Sequence, residues 1–361
     1  MILNNFKNKT VIVTGHTGFK GTWLCQWLLL LGANVIGVSK NIPTKPSHFK
    51  LIKLEKKIIN KKIDLVNYKS LLKIFLNHEP DYVFHLAGQA LVANSYSDPI
   101  NTWQTNTIGT LNVLECLRKL KKKCTAVLIT SDKSYKNLEI KRGYTENDIL
   151  GGYDPYSASK AGAELVIQSH IKSFFPKNKT NILISVVRAG NVIGGGDWSN
   201  FRLIPDCIKS WTLNKKVLLR SPNSTRPWQH VLEPLWEYLL LASKLKKNKN
   251  LHGEVFNFGP NNNNNYSVLE VVKTMKKNWK KVSWKIFNSK KKIFYESSLL
   301  KINSNKAKKK IKWKCILSFE ETIEMVVDWY KQNYLNSERI NETTINQIKF
   351  YEELIRIRSI K

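Results

Sequence analysis

Residues 10–29 leave this chain little freedom in how it folds. Thr10-Val11-Ile12-Val13-Thr14 is a short β-branched run, as a central parallel strand requires. Gly15-His16-Thr17-Gly18-Phe19-Lys20-Gly21 follows at once, and Thr22–Leu29 continues as a helix with a broad apolar face. Strand, glycine turn and helix in direct succession form a nucleotide-binding unit. The glycines permit positive φ and close backbone approach, and the helix N-terminus offers free N–H groups to a pyrophosphate. Gly15, Thr17, Gly18, Phe19 and Gly21 are therefore candidate cofactor contacts.

The same alternation continues downstream. Residues 32–38 read as a second strand ending in Ser39-Lys40-Asn41, where an NAD site often places an acid on the ribose hydroxyls. Asn41 can still bond a hydroxyl, and Lys40 tolerates a 2′-phosphate, so NAD is expected with NADP not excluded. Ile63-Asp64-Leu65 is read as the end of the third strand, with Asp64 near the adenine or serving as a turn or N-cap residue. Residues 80–89 form a fourth strand running into Leu86-Ala87-Gly88, small enough for a cofactor to lie on the backbone. His85 reads as a packed strand residue. Asn106 lies inside a helix reaching Leu120, where asparagine is a poor helix former, so it implies a polar role near the site or an exposed position. Residues 126–130 and 182–187 complete the strands. The expected fold is α/β: a doubly wound parallel Rossmann-type sheet with a smaller interleaved substrate-binding domain.

With 361 residues the chain has room for both parts. Residues 1–188 are assigned to the dinucleotide-binding domain, re-entered at about 225–256 through Val231 and Val255-Phe256. Residues 189–224 and 257–335 form the substrate-binding domain. Residues 336–361 are a polar C-terminal appendage with Ile and Leu at near-helical spacing and an unreadable role.

A second cluster carries chemistry. The strand at 126–130 delivers Ser131-Asp132-Lys133, and a helix beginning near Pro155 carries Tyr156 and Lys160 on one face. A nearby ammonium lowers a tyrosine pKa and makes the phenol a usable base. Alone, such a pair is most often a surface contact; the nucleotide unit upstream changes its weight.

The formal charge of +32 raises nucleic-acid binding. The lysines, however, are dispersed, and Asn261–Asn265 points to a Lys- and Asn-biased composition that decorates solvated faces. No nucleic-acid partner is expected, though the field would attract an anionic small substrate. No apolar run reaches the ~18 residues of a membrane span, and the amino terminus lacks signal-peptide order. Cys25, Cys116, Cys124, Cys207 and Cys315 are odd in number and widely spaced, so reduced thiols in the cytoplasm are expected, with no metal site.

From Thr10 to about Trp313 the chain resembles the extended short-chain dehydrogenase/reductases. The glycine turn, His85-Leu86-Ala87, Asn106, and Tyr156 with Lys160 stand in that family's order. The resemblance is strongest to its nucleotide-sugar 4,6-dehydratases acting on CDP-glucose. Thr14–Gly21, Thr130–Lys133, Gly151–Tyr156, Arg188–Trp198 and Arg226–Pro234 carry it. Departures are Asn41 for an acid, Gly88 for an alanine and Asn303 for an aspartate.

The resemblance implies a redox-neutral dehydration. Tyr156 would take the proton of the sugar 4-hydroxyl as hydride leaves C4 for the nicotinamide. Lys160 would lower the tyrosine pKa and bind the nicotinamide ribose, and Ser131 would bond the 4-oxygen. The 4-keto group acidifies C5–H, and Asp132 and Lys133 would be the acid and base that expel water. Asn191, Arg202, Arg226 and Glu296 would contact substrate, the arginines clamping its diphosphate. Arg220 is a weaker candidate. A homodimer or homotetramer is expected through the helices at 103–120 and 156–174. A 4-epimerase or reductase of the same fold needs Tyr156 and Lys160 but not the acid–lysine pair. The remote alternative is a non-catalytic nucleotide sensor or RNA-binding protein.

Overall fold

The β-branched runs become seven strands of one sheet in the computed structural model, which describes residues 2–140, 142–260, 266–286 and 300–358. They are β1 (Thr10–Thr14), β2 (Asn34–Ser39), β3 (Ile59–Lys62), β4 (Tyr82–His85), β5 (Cys124–Ile129), β6 (Ile182–Ala189) and β7 (Val255–Phe258). The spatial order is β7-β6-β5-β4-β1-β2-β3, and every neighbouring pair is parallel. The order reverses between β1 and β4, so a crevice opens at their carboxyl ends, where such sheets bind ligands. β1, β4, β5 and β6 are buried almost throughout, because helices cover both faces.

The principal helices are α1 (Phe19–Leu30), α2 (Gly109–Lys119), α3 (Pro155–Phe174), α4 (Leu203–Thr212), α5 (Leu232–Lys247), α6 (Phe319–Leu335) and α7 (Ile340–Arg358). α3 starts where the sequence dictates: Pro155 occupies its first turn, and Asp154 accepts from Ser157 N at 3.0 Å. No helix among the described residues is long and apolar enough to cross a membrane.

Three short strand pairs lie outside the sheet: Val192–Ile193 with Gln229–His230, Thr225–Arg226 with Tyr266–Ser267, and Val217–Leu219 with Trp284–Ile286. Only β7 returns to the main sheet. Val231 does not: it stands at the start of α5, its N–H bonded to Ile193 O at 2.8 Å. The expected re-entry at Val231 is corrected accordingly. The third strand also ends earlier than expected, at Lys62, and Ile63-Asp64-Leu65 forms the turn after it.

Every residue of α1 from Gly21 to Leu28 is buried. The cause is the C-terminal segment, whose role the sequence left unread. α7 packs over α1. Trp27 Nε1 donates to Glu352 at 2.7 Å, Tyr351 meets the Trp27 ring edge-on at 5.8 Å, and Tyr351 Oη donates to Glu233 at 2.9 Å. Glu233 is fully buried on α5 and also accepts from the backbone of Ile316 and Leu317. Tyr351→Ala should lower unfolding free energy by about 3–5 kcal/mol in urea melts, as for other buried aromatics. Tyr351→Phe should cost only about 1 kcal/mol, the share of one hydrogen bond. Equal costs would show that packing contributes nothing at this position.

Candidate active site

The glycine turn closes against the end of β4. Gly15 has φ +76°, and a Cβ there would stand 2.7 Å from Ala87 N. A Cβ on Gly21 would strike the Gly15 carbonyl, so strand, turn and helix pack this closely only with glycine at both positions. Gly18 is the N-cap of α1, and no side chain caps the helix there. The first-turn N–H groups are left for an outside acceptor. This cradle fits the pyrophosphate of a dinucleotide.

The rim of the crevice is polar. Thr17 Oγ1 donates to the Asn41 carbonyl at 2.6 Å, leaving the exposed Asn41 side chain at the end of β2. Asp64 pairs with Lys40 at 2.7 Å and accepts from Val66 N at 3.2 Å. The two candidate ribose and adenine contacts therefore sit on adjacent strand ends. Asp64 is already committed to a lysine and a turn.

Asn106 is buried, not exposed, and it lies in a π-helical turn, Gln104–Ile108, just before α2. Its Oδ1 accepts from Gln89 N at 2.8 Å, and its Nδ2 donates to Gln89 O and Ser159 Oγ. It thus ties the Leu86-Ala87-Gly88 turn to α3. His85 is a packed strand residue, bonded to Thr14 and Thr110.

Ser131, Asp132 and Tyr156 come together, each under a tenth exposed. Tyr156 Oη donates to Ser131 Oγ at 3.3 Å, and Ser131 Oγ donates to Asp132 Oδ1 at 3.1 Å. Lys133 is half-buried, and its backbone N–H donates to Ser131 Oγ at 3.2 Å. Asp132 lies flat against Gly190, where any Cβ would collide with its carboxylate. Burial pushes the Tyr156 phenol up to about 12; the Ser131 bond draws it down, Asp132 raises it and Arg202 lowers it. The Lys160 ammonium faces Gly88 and Asn106: a Cβ on Gly88 would stand 2.9 Å from Nζ. Burial lowers Lys160 to about 8, against the opposing pull of Glu164.

On the substrate side, Asn191 has φ +40° and follows Gly190 directly. Arg202 caps α4, pairs with the buried Asp197 at 3.2 Å and lies close enough to Tyr156 to act on it. Arg226 stands on the short strand beside Tyr266, its guanidinium donating to Thr225 O at 2.8 Å. Arg220 acts on Asp206 of α4. Glu296 lies outside the described residues. Among the described residues no three His, Cys, Asp or Glu side chains converge as metal ligands.

Sequence reasoning passed over three groups. Lys20 sits in the glycine turn itself. Burial lowers it to about 8, with Lys160 and Arg202 adding to the effect, and its Nζ donates to Tyr238 Oη at 3.3 Å. The glycines, Thr17 and Phe19 of that motif read as contacts, and Lys20 did not. Glu164 lies four residues after Lys160, so Tyr156, Lys160 and Glu164 form one i+4 row, a readable signal. Its partner Arg188, in a quoted motif but given no role, meets it through two bonds of 2.7 and 2.6 Å.

A glycine cradle at a sheet switch point, with a Ser–Tyr–Lys group at its edge, defines a dinucleotide-dependent oxidoreductase type of site. The GDP-mannose 4,6 dehydratase family model matches residues 12–326, and the chain belongs to that family. The chain is 41% identical over 336 residues to the CDP-glucose 4,6-dehydratase of Salmonella typhimurium, covering 92% of this chain and 93% of the relative. It is 24% identical to the dTDP-glucose 4,6-dehydratase of Haemophilus influenzae, covering 91% and 99%. Among solved structures, the UDP-glucose 4-epimerase of Thermotoga maritima matches with TM-score 0.75 at 24% identity, covering 91% of this chain and all of that one. The dTDP-glucose 4,6-dehydratase of Bacillus anthracis, solved with NAD, matches with TM-score 0.74 at 23% identity, covering 90% and 97%. These likenesses support the same doubly wound fold.

The depressed lysine has a measurable consequence. Between pH 8 and 10.5 the unfolded chain holds the Lys160 proton and the native chain does not. Unfolding then takes up a proton, so stability rises with pH across that window. Lys160→Met removes this titration. The wild-type melting temperature should gain on the variant's between pH 8 and 10. A constant difference would mean that Lys160 titrates as a solvated lysine does.

Proposed function

We propose that this chain is a CDP-glucose 4,6-dehydratase, converting CDP-glucose to CDP-4-keto-6-deoxyglucose with NAD. The observation that carries the reading is the Asp132-Lys133 turn bonded directly to Ser131, and through Ser131 to Tyr156, in a chain 41% identical across 92% of its length to such an enzyme. When bound, NAD would supply the acceptor for hydride from sugar C4 and the donor for its return to C6.

The residues divide the remaining work. Tyr156 takes the O4 proton while Ser131 bonds O4, and Lys160 binds the nicotinamide ribose. The resulting ketone acidifies C5–H, which Lys133 removes as Asp132 protonates the departing 6-hydroxyl. Gly15, Thr17, Gly18, Phe19, Gly21, Leu86 and Ala87 hold the dinucleotide, with Asn41 and Asp64 at its ribose and adenine. Arg202 and Arg226 grip the substrate diphosphate, and Asn191 borders the sugar. Residues 1–188 supply the cofactor half and 189–224 with 257–335 the substrate half. A homodimer is proposed through the neighbouring helices that expose Trp103, Ile108 and Leu165. All five cysteines are free thiols, which suits the cytoplasm.

Purified protein incubated with CDP-, dTDP-, GDP- and UDP-glucose should release water from the CDP-sugar, read by product mass, with no net NADH. A 4-epimer, or no loss of water from any sugar, overturns the reading. The base assignment is tested separately. Lys133→Ala should still bind NAD but lose exchange of the C5 proton with deuterated solvent, with turnover down about 10²–10⁴-fold. Unchanged turnover removes Lys133 from the mechanism.

A further inference from the structure

The proposed reaction does not reset its own proton carriers. Lys133 takes a proton from C5 and can return it to C5 as C6 is reduced. Tyr156 gains a proton from O4 and has no later step in which to lose it. Asp132 gives a proton to O6 and has no later step in which to regain it. Each turnover therefore leaves a phenol where a phenolate is needed and a carboxylate where an acid is needed. The cycle closes only if one proton passes from Tyr156 to Asp132, through solvent or through the protein.

Solvent access is poor. Tyr156 is 8% exposed, and Ser131 and Asp132 are each 5% exposed. The protein path is short and already directed. Tyr156 Oη donates to Ser131 Oγ at 3.3 Å, and the same oxygen donates onward to Asp132 Oδ1 at 3.1 Å. Lys133 N–H occupies its remaining lone pair at 3.2 Å and fixes the hydroxyl. One donor and two acceptor sites are the full capacity of a serine hydroxyl. Gly190 contributes by omission: a side chain there would push the Asp132 carboxylate off this line.

We propose that Ser131 is a proton relay from Tyr156 to Asp132, so that the proton Asp132 gives to the departing water is replaced at the expense of the one Tyr156 drew from the sugar's 4-hydroxyl. The inference rests on the dehydratase reading above. In the step itself the Tyr156 O–H bond breaks as a new O–H bond forms on Ser131. The original Ser131 O–H bond breaks as one forms on Asp132, and the Asp132 proton passes to O6 as the C6–O bond breaks. Ser131 ends neutral, Tyr156 ends as phenolate, and no outside acid or base is consumed. Timing follows from acidity. A phenol will not protonate a lone carboxylate, but it will protonate a departing hydroxide. The relay therefore moves with C6–O cleavage, as the enolate charge leaves O4 and frees the serine hydroxyl for Asp132.

The test separates this role from simple support of C4 oxidation. In a substrate with fluorine in place of the 6-hydroxyl, CDP-6-deoxy-6-fluoroglucose, fluoride leaves without needing a proton. With the NAD-loaded enzyme, Ser131→Ala should lose about 100-fold more rate on CDP-glucose than on the fluoro-sugar, the scale of one positioned proton transfer. Ser131→Thr, which keeps a hydroxyl, should bring the two losses back to within about threefold of each other, well inside that same scale. Equal losses on both substrates for Ser131→Ala overturn the relay. A second measurement needs no variant: in mixed H₂O and D₂O, the wild-type rate of water loss in a single turnover should curve with deuterium fraction, as for several protons in flight. A straight line overturns the relay. Failure of the wild type to release water from CDP-glucose instead overturns the functional reading, so the two failures are distinct.

Discussion

The site depends on a buried ion pair behind it. Arg188 and Glu164 are 1% and 0% exposed and meet through two parallel bonds. Burial alone would make each charge intolerable, and breaking such a pair costs about 3–5 kcal/mol because the survivor is left uncompensated. What makes this pair bearable is its company. Glu164 also accepts from Thr130 Oγ1 at 2.5 Å, and Arg188 donates to Tyr135 Oη at 2.7 Å. Tyr135 donates to Asn257 Oδ1 at 2.7 Å, and Asn257 Nδ2 donates to Tyr144 O at 2.8 Å. A satisfied buried network specifies one arrangement and penalises others.

That network joins what catalysis must keep in register. Thr130 and Tyr135 flank the Ser131–Lys133 turn. Glu164 stands one helical turn beyond Lys160 and two beyond Tyr156. Asn257 is on β7, the strand that returns after the substrate half has been built. Tyr144 pairs with Ile302 and bonds Lys301 O at 2.8 Å, reaching the last substrate segment before α6. Four stretches distant in sequence are thus held by one set of hydrogen bonds, and Ser131 inherits its position from them.

Much of this was legible in the chain itself, where a feature is local. The glycine turn, the strands and the start of α3 depend on neighbours in sequence: a β-branched run, a Pro at N1, an Asp cap. What escaped is what depends on partners far away. Val231 has strand-like character, but its partner Ile193 belongs to a two-stranded pair, so it opens a helix outside the sheet. Asn106 was marked as an oddity by helix propensity; only the structure shows the π-turn that lets one side chain bond both Gln89 and Ser159. Lys160 shares a face of α3 with Tyr156, as i+4 spacing requires, but that its Nζ lies against Gly88 depends on a loop far upstream in sequence. α7 read as an appendage because its partners are Trp27, Glu233 and Thr344's neighbours rather than its own segment.

The interleaving of the two halves has a physical reason in the same region. The Gly194-Gly195-Gly196 loop is packed closely by aromatic rings and by Val231. A Cβ on Gly195 would enter the Trp329 ring, one on Gly194 would meet Val231 and Phe19, and one on Gly196 would meet His48. Trp23 of α1 donates to Gly195 O at 2.9 Å, and Thr344 of α7 bonds both His48 and Trp329. α1 begins the pyrophosphate cradle, and this loop leads to Asp197 and Arg202 on the substrate side. Because α1, α6 and α7 support cradle and loop together, neither can shift without moving the other. A fold built from two independent domains would let the cofactor and sugar halves drift. Shared aromatic packing holds the glycine cradle and the Gly194–Gly196 loop in one register.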